Sequence, residues 1–137
     1  MLDSSTDLKS MLSDPSLLQT RAFINNQWVD AENGATFDVK NPARGDVIAQ
    51  VADLSRTDLA SAISGAEIAQ KKWAAISAKE RSNILRSWYN LMMENQADLA
   101  KILTAEMGKP LVEAMGEIAY GASFVEFFAE YDKRNYG

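Results

Sequence analysis

Cysteine and histidine are both missing from this chain of 137 residues. Without a thiol there is no disulfide, no thiolate nucleophile and no thiolate metal ligand. Without an imidazole there is no side chain that titrates near neutrality by default, and no Ser–His or Cys–His pair. Chemistry run by these residues alone would have to use carboxylates, Lys, Tyr or Ser. Positive charge is also scarce: 14 Lys and Arg stand against 19 Asp and Glu, a net charge of −5. That balance argues against nucleic acid, whose phosphates require a basic face. No polybasic cluster is present for an anionic membrane surface, and no apolar run reaches the length that spans a bilayer. Residues 1–20 lack the basic start and apolar run of a signal peptide, and also the Arg-rich, acid-poor character of a transit peptide. The cytoplasm is the expected compartment.

What is present has the composition of a soluble globular protein, with 47% hydrophobic and 24% charged residues. Residues 1–20, rich in Ser and Asp with Pro15, read as a loose N-terminal arm holding a short helix around residues 8–12. Residues 21–137 read as a separate unit. Within it, two short extended segments flank Asn25-Asn26, a pair that tolerates the positive φ values of a tight hairpin. Asn33-Gly34 is a second turn signal. A third segment at 36–39 then leads through Asn41-Pro42 and Gly45 to a fourth at 47–52. These predict a small antiparallel meander over residues 22–52.

Three helices are predicted next, near 57–75, 78–107 and 110–133. The first opens on Ser55-x-x-Asp58 and carries Leu59, Ile63, Ala66 and Trp73 on one stripe; the second opens on the capping box Ser77-x-x-Glu80. The second has Ile84, Leu85, Trp88, Leu91, Met92, Leu99, Ile102 and Leu103 as its apolar face, with Arg81, Arg86, Glu94 and Lys101 left for solvent. It stops at Gly108-Lys109-Pro110, where Gly suits a left-handed C-cap and Pro the next helix's first turn. The third is apolar on most sides, with Tyr120, Phe124, Val125, Phe127, Phe128 and Tyr131 around the cylinder. Such a helix needs burial on most sides, more than two helices and a meander can provide. A core completed by further protein or by a partner is therefore expected.

Motifs with chemistry of their own are few. Gly116 and Gly121 have P-loop spacing, but Ala122-Ser123 stands where Lys-Ser/Thr is required, and no G-x-G-x-x-G occurs. Glu113 and Glu117 are one turn apart, yet Lys109 nearby makes an ion-paired surface the better reading. Trp73 and Trp88 fall on the apolar stripes, where core packing is the default.

Four blocks nevertheless form a pattern. Phe23-Ile24-Asn25-Asn26-Gln27-Trp28-Val29 resembles the opening strand pair of aldehyde dehydrogenases, and Asn41-Pro42-Ala43-x-Gly45-x-Val47-Ile48 resembles their Asn-Pro segment. Trp73 followed by Ser77-Ala78-Lys79-Glu80-Arg81-x-x-Ile84-Leu85-Arg86 is similar to a third family block. Leu103-Thr104-Ala105-Glu106-Met107-Gly108-Lys109-Pro110-Leu111-x-Glu113-Ala114 is similar to a fourth. Order and spacing agree over residues 21–137. Trp88 to Asn95, Gly116 to Phe124 and Phe127 to Glu130 look most like bacterial succinate-semialdehyde dehydrogenases. Departures are Asn26, where Gly is usual, and Met107 and Met115, where polar residues are common.

The resemblance implies an α/β parent fold with a Rossmann-like cofactor domain, of which this chain would be an α+β portion: a small β-meander followed by three helices. It implies oxidation of an aldehyde, succinate semialdehyde in this subfamily, to the acid with NADP or NAD. In the family a Cys nucleophile, a Glu that activates water, and an Asn and a backbone N–H at the oxyanion do the work. All of these, with the cofactor loop, are expected beyond position 137, so no catalytic or cofactor-binding role falls on this chain. The parent is expected to be a homo-oligomer, dimer or tetramer. Two site assignments carry over residue by residue. Tyr120 and Phe124 would line the substrate tunnel, and Val39 or Lys40, through a backbone carbonyl, would hold a structural monovalent cation with Glu106. The rival reading is a self-contained helical interaction module derived from the same family, docking through the aromatic helix.

Overall fold

The computed structural model describes residues 4–131. The element order is α1 (Ser4–Met11), a 3-10 turn (Pro15–Leu17), β1 (Ala22–Ile24), β2 (Gln27–Val29), β3 (Thr36–Lys40), β4 (Val47–Ala52), α2 (Arg56–Ala75), α3 (Ala78–Glu94), α4 (Gln96–Met107) and α5 (Leu111–Tyr131). The arm is not loose. Leu8, Leu12 and Leu18 form a buried apolar cluster against Ile102 and Ala105 of α4. Asp98, only 4% exposed, ties the arm down further: its carboxylate accepts the Asp14 N–H at 2.9 Å and the Lys101 ammonium at 2.9 Å. Lys101 also donates to the carbonyl of Met11, the last residue of α1, at 2.8 Å. A cation there meets the negative end of the helix dipole. A Ser- and Asp-rich composition suggested disorder because it hides three well-spaced leucines.

The four strands lie where expected, but they form two separate hairpins, β1 with β2 and β3 with β4, not one meander. Asn25 and Asn26 turn the first with φ of 51° and 65°, the left-handed pair that a two-residue hairpin needs. Residues 30–35 then leave β2 and turn on Gly34, at φ 70°, so β3 starts away from the first hairpin. The second hairpin joins its surroundings end-on: Ala52 N–H donates to Thr20 O and Asp53 N–H to Ala35 O, both at 2.9 Å.

Both helix starts behave as written in the sequence. Ser55 with Asp58 and Ser77 with Glu80 make reciprocal capping boxes, and the hydroxyl and amide donors of Ser55 and Ser77 hold the two carboxyls below the usual carboxylate range. The predicted second helix is two helices, α3 and α4, bent at Asn95 (φ −102°, ψ 12°). The Asn95 amide donates to Leu91 O at 3.1 Å and Leu99 N–H to Asn95 O at 3.0 Å, so the ladder bends without ending. The Asn95 side chain also donates to Leu91 O at 2.8 Å, the local competition that makes Asn a poor interior helix residue. The bend lets both α3 and α4 pack on α5.

That packing is unlike the sequence expectation in one respect. The apolar stripes of α2 and α3 are not buried: Leu59, Ile63, Ile84, Trp88 and Leu91 are exposed, and Trp73 is half-buried. α2 buries no residue at all. What α5 buries is alanine, at positions 114, 122 and 129, while α3 buries Ser82. Small side chains bring helices close, and the large ones point elsewhere.

Candidate functional site

Two sequence motifs meet at one point of the fold. Asn41 organises the β3–β4 loop: its carboxamide oxygen accepts from Ala43 N–H at 2.9 Å and Arg44 N–H at 3.3 Å, and its carbonyl accepts Gly45 N–H at 2.7 Å. Pro42 is thereby presented to Gly108, the left-handed C-cap of α4 (φ 83°). A Cβ at Gly108 would lie 2.9 Å from Pro42 Cγ, so glycine is required twice over, for its φ and for the close approach. Beside this junction is a cavity of about 270 Å³, walled by Leu8 and Met11 of the arm and by Lys101, Thr104, Gly108 and Leu111. Its cations are committed elsewhere, Lys101 to Asp98 and Arg44 to Asp46 at 2.9 Å.

The residues expected to hold a cation flank the same junction. Val39 is half-buried, Lys40 and Glu106 are exposed, and the β3–β4 register shifts between Val39 and Lys40. Such a bulge releases backbone groups from the ladder. Among the described residues there is no cluster of three acidic, His or Cys side chains that could bind a metal by side chains alone. Glu113 and Glu117 are surface groups, and Glu117 is ion-paired with Lys109.

α5 carries the second feature. Tyr120 and Phe124 sit edge to face with ring centroids 5.0 Å apart. Phe127 touches Phe128 edge-on at 5.3 Å and stacks on Tyr131 at 5.8 Å. Tyr120 is 65% exposed and Phe124 49%. Positions 120, 124, 127 and 131 recur at spacings of four, three and four, which defines one helix face. The alanine stripe lies on the other side. An aromatic wall of this kind can seat and orient a small organic molecule. On the flank where Glu126 and Glu130 share a groove with Phe127 and Tyr131, Arg86 of α3 donates to both carboxylates of α5, each at 2.6 Å. These two carboxylates, Glu126 first, raise the guanidinium's pKa above its ordinary value. The sequence pattern assigns Arg86 to solvent; the available signal is Glu126 and Glu130, one turn apart among the aromatic residues of the helix's second half.

The sequence matches the aldehyde dehydrogenase family over residues 28–137. The chain belongs to the aldehyde dehydrogenase family. It is 52% identical over 126 residues to the succinate-semialdehyde dehydrogenase [NADP(+)] of Escherichia coli (strain K12), covering 92% of this chain and 26% of that protein. It is also 52% identical, with the same coverage, to a glutarate-semialdehyde dehydrogenase of Pseudomonas putida. In structure it is similar to an aldehyde dehydrogenase from Brucella melitensis biovar abortus 2308, with a TM-score of 0.90 and 49% identity over 92% of this chain and 26% of that one. The α+β portion is thus a known part of an aldehyde dehydrogenase fold. The chain spans about a quarter of the length of the curated relatives it matches. No helix among the described residues is long and apolar enough to cross a membrane.

Proposed function

We propose that this chain forms the opening portion of an NAD(P)-dependent enzyme that oxidises succinate semialdehyde to succinate, with Tyr120 and Phe124 forming part of the passage for the aldehyde. The observation that carries the reading is the 52% identity with the succinate-semialdehyde dehydrogenase of Escherichia coli. The exposed, mutually packed Tyr120–Phe124 pair supports the passage. Relatives named for glutarate semialdehyde and 3-sulfolactaldehyde match equally well. All three aldehydes are short and carry an anionic end, which supports a substrate of that class. NADP is named for the Escherichia coli relative, and a betaine aldehyde dehydrogenase with a TM-score of 0.86 to this chain was solved with NAD+; the reading takes either nucleotide. This chain offers no glycine-rich dinucleotide loop and no Cys, so the reading assigns cofactor binding and the attacking thiolate to residues outside its 137 positions.

Two further parts belong to the reading. A structural monovalent cation would sit between the backbone carbonyl of Val39 or Lys40 and Glu106, supported by the bulge in β3 and by the contact of Pro42 with Gly108. The working protein would be a cytoplasmic homo-oligomer whose assembly covers the apolar surface of α5.

Transplantation tests the function. The Escherichia coli relative, with its matching 126 residues exchanged for this chain's, is expected to reduce NADP+ with succinate semialdehyde. Tyr120→Ala with Phe124→Ala in that protein should raise KM for the aldehyde about tenfold or more, with KM for NADP+ unchanged. A folded, inactive transplant would refute the assignment, and an unchanged aldehyde KM would refute the passage. The 137-residue chain alone is expected to give no turnover, because it has no thiol.

A further inference from the structure

α5 is gripped from one side, by two kinds of contact that do different things. The alanine stripe at 114, 122 and 129 sets how closely the helices approach. Ile118 and Val125, half-buried on the same face, add larger side chains to this packing, which fixes rotation less sharply than a hydrogen-bonded fork does. Polar contacts restrain α5 directionally: Gln96 of α4 donates to the carbonyl of Met115 near the start of α5 at 2.9 Å, and Arg86 of α3 holds its C-terminal half. The two terminal nitrogens of Arg86 reach carboxylates one helical turn apart on α5, Glu126 and Glu130, each at 2.6 Å. Its guanidinium also lies 5.4 Å from the centre of the Tyr89 ring on its own helix. A planar fork that spans one turn opposes both rotation and axial sliding. Tyr120 and Phe124 project from another face of the same helix, about a third of a turn around from the two carboxylates. At a side-chain radius of about 6 Å, a rotation of about 20° would displace their rings by about 2 Å.

We infer that Arg86 is a positioning residue that sets the rotational phase of α5, and with it the direction in which Tyr120 and Phe124 face the aldehyde. The second half of this inference rests on the proposed passage; the first does not. These 137 residues hold no Cys, so in the chain on its own a single introduced thiol is the only one to react and makes the phase measurable. Ser123 is exposed and Val125 is half-buried beside the alanine stripe. Ser123→Cys should therefore react with a maleimide faster than Val125→Cys. Adding Arg86→Met should bring the two rates together, by about threefold or more in their ratio, at unchanged helix content. Arg86→Lys, which can reach one carboxylate, should give an intermediate ratio. If Arg86→Met unfolds the chain, the shape-preserving pair Glu126→Gln and Glu130→Gln reads the same ratio. A ratio unchanged in a folded variant, or both rates rising together with the ratio kept, would overturn the inference. This readout does not depend on any aldehyde, so its failure is separable from failure of the passage, which the transplant's aldehyde KM reports.

Discussion

Asp98 shows how much a single carboxylate can organise when its partners converge from distant sequence. The Lys101 ammonium first, and then the Asp14 N–H, hold its carboxyl below the usual range, against desolvation that pushes the other way. A folded-state pKa below the unfolded value means that the group's stabilisation is full above the ordinary carboxylate range and is lost as pH falls through the lowered value. Hydrogen exchange at the Asp14 amide should accordingly be protected near neutrality and lose protection in acid, at a pH below about 3.9. Asp98→Ala should abolish that protection at neutral pH. Protection that persists in the Ala variant would mean that the leucine cluster alone holds the arm. None of this is visible in the sequence, where Asp14 and Asp98 are 84 positions apart, and Arg86 is hidden in the same way, 40 and 44 positions from its acceptors. Local signals, by contrast, are legible: Asn25-Asn26, Ser55-x-x-Asp58 and Ser77-x-x-Glu80 each state a backbone requirement that neighbours within three residues satisfy.

At the scale of elements, the sequence locates almost every helix and strand and says less about what each one touches. The bend at Asn95 is missed because apolar residues continue at helical spacing across it, and periodicity does not register a single non-helical ψ. The break between the hairpins is missed because turn signals mark where strands end and not which strands pair. Gly108 is the instructive intermediate. Its C-cap role is readable from Gly-Lys-Pro, whereas its contact with Pro42 requires the fold. Gly108→Ala meets both objections, a positive φ and a ring carbon at 2.9 Å. It should destabilise the chain by about 1–2 kcal/mol in urea unfolding. A neutral effect would show that the junction of the two motifs has slack, and would weaken the case for a cation held there.

Across the molecule, burial is thin. The largest fully buried side chains among the described residues are Ile48 and Ser82, and most of the remaining buried apolar positions are alanines. Meanwhile Leu59, Ile63 and Ile68 on α2, Trp88 and Leu91 on α3, and Phe124, Phe127, Phe128 and Tyr131 on α5 are exposed. Burying one such side chain is worth on the order of 2 kcal/mol, so this surface is where a larger dehydrogenase would find its interfaces. The exposure of these aromatics on α5 agrees with the apolar residues read around most of its cylinder. For α2 and α3 the sequence foretold the stripe but not its exposure, since a stripe does not say whether its partner lies inside or outside the 137 residues. On the proposed function these faces are unsatisfied interfaces and not parts of a self-contained module. The most direct measurement is titration of the purified 137-residue chain with a hydrophobic fluorescent dye. Saturable enhancement, weakened by substituting Phe127 and Phe128 with Ser, is the expected result; no enhancement from a folded chain would contradict the account.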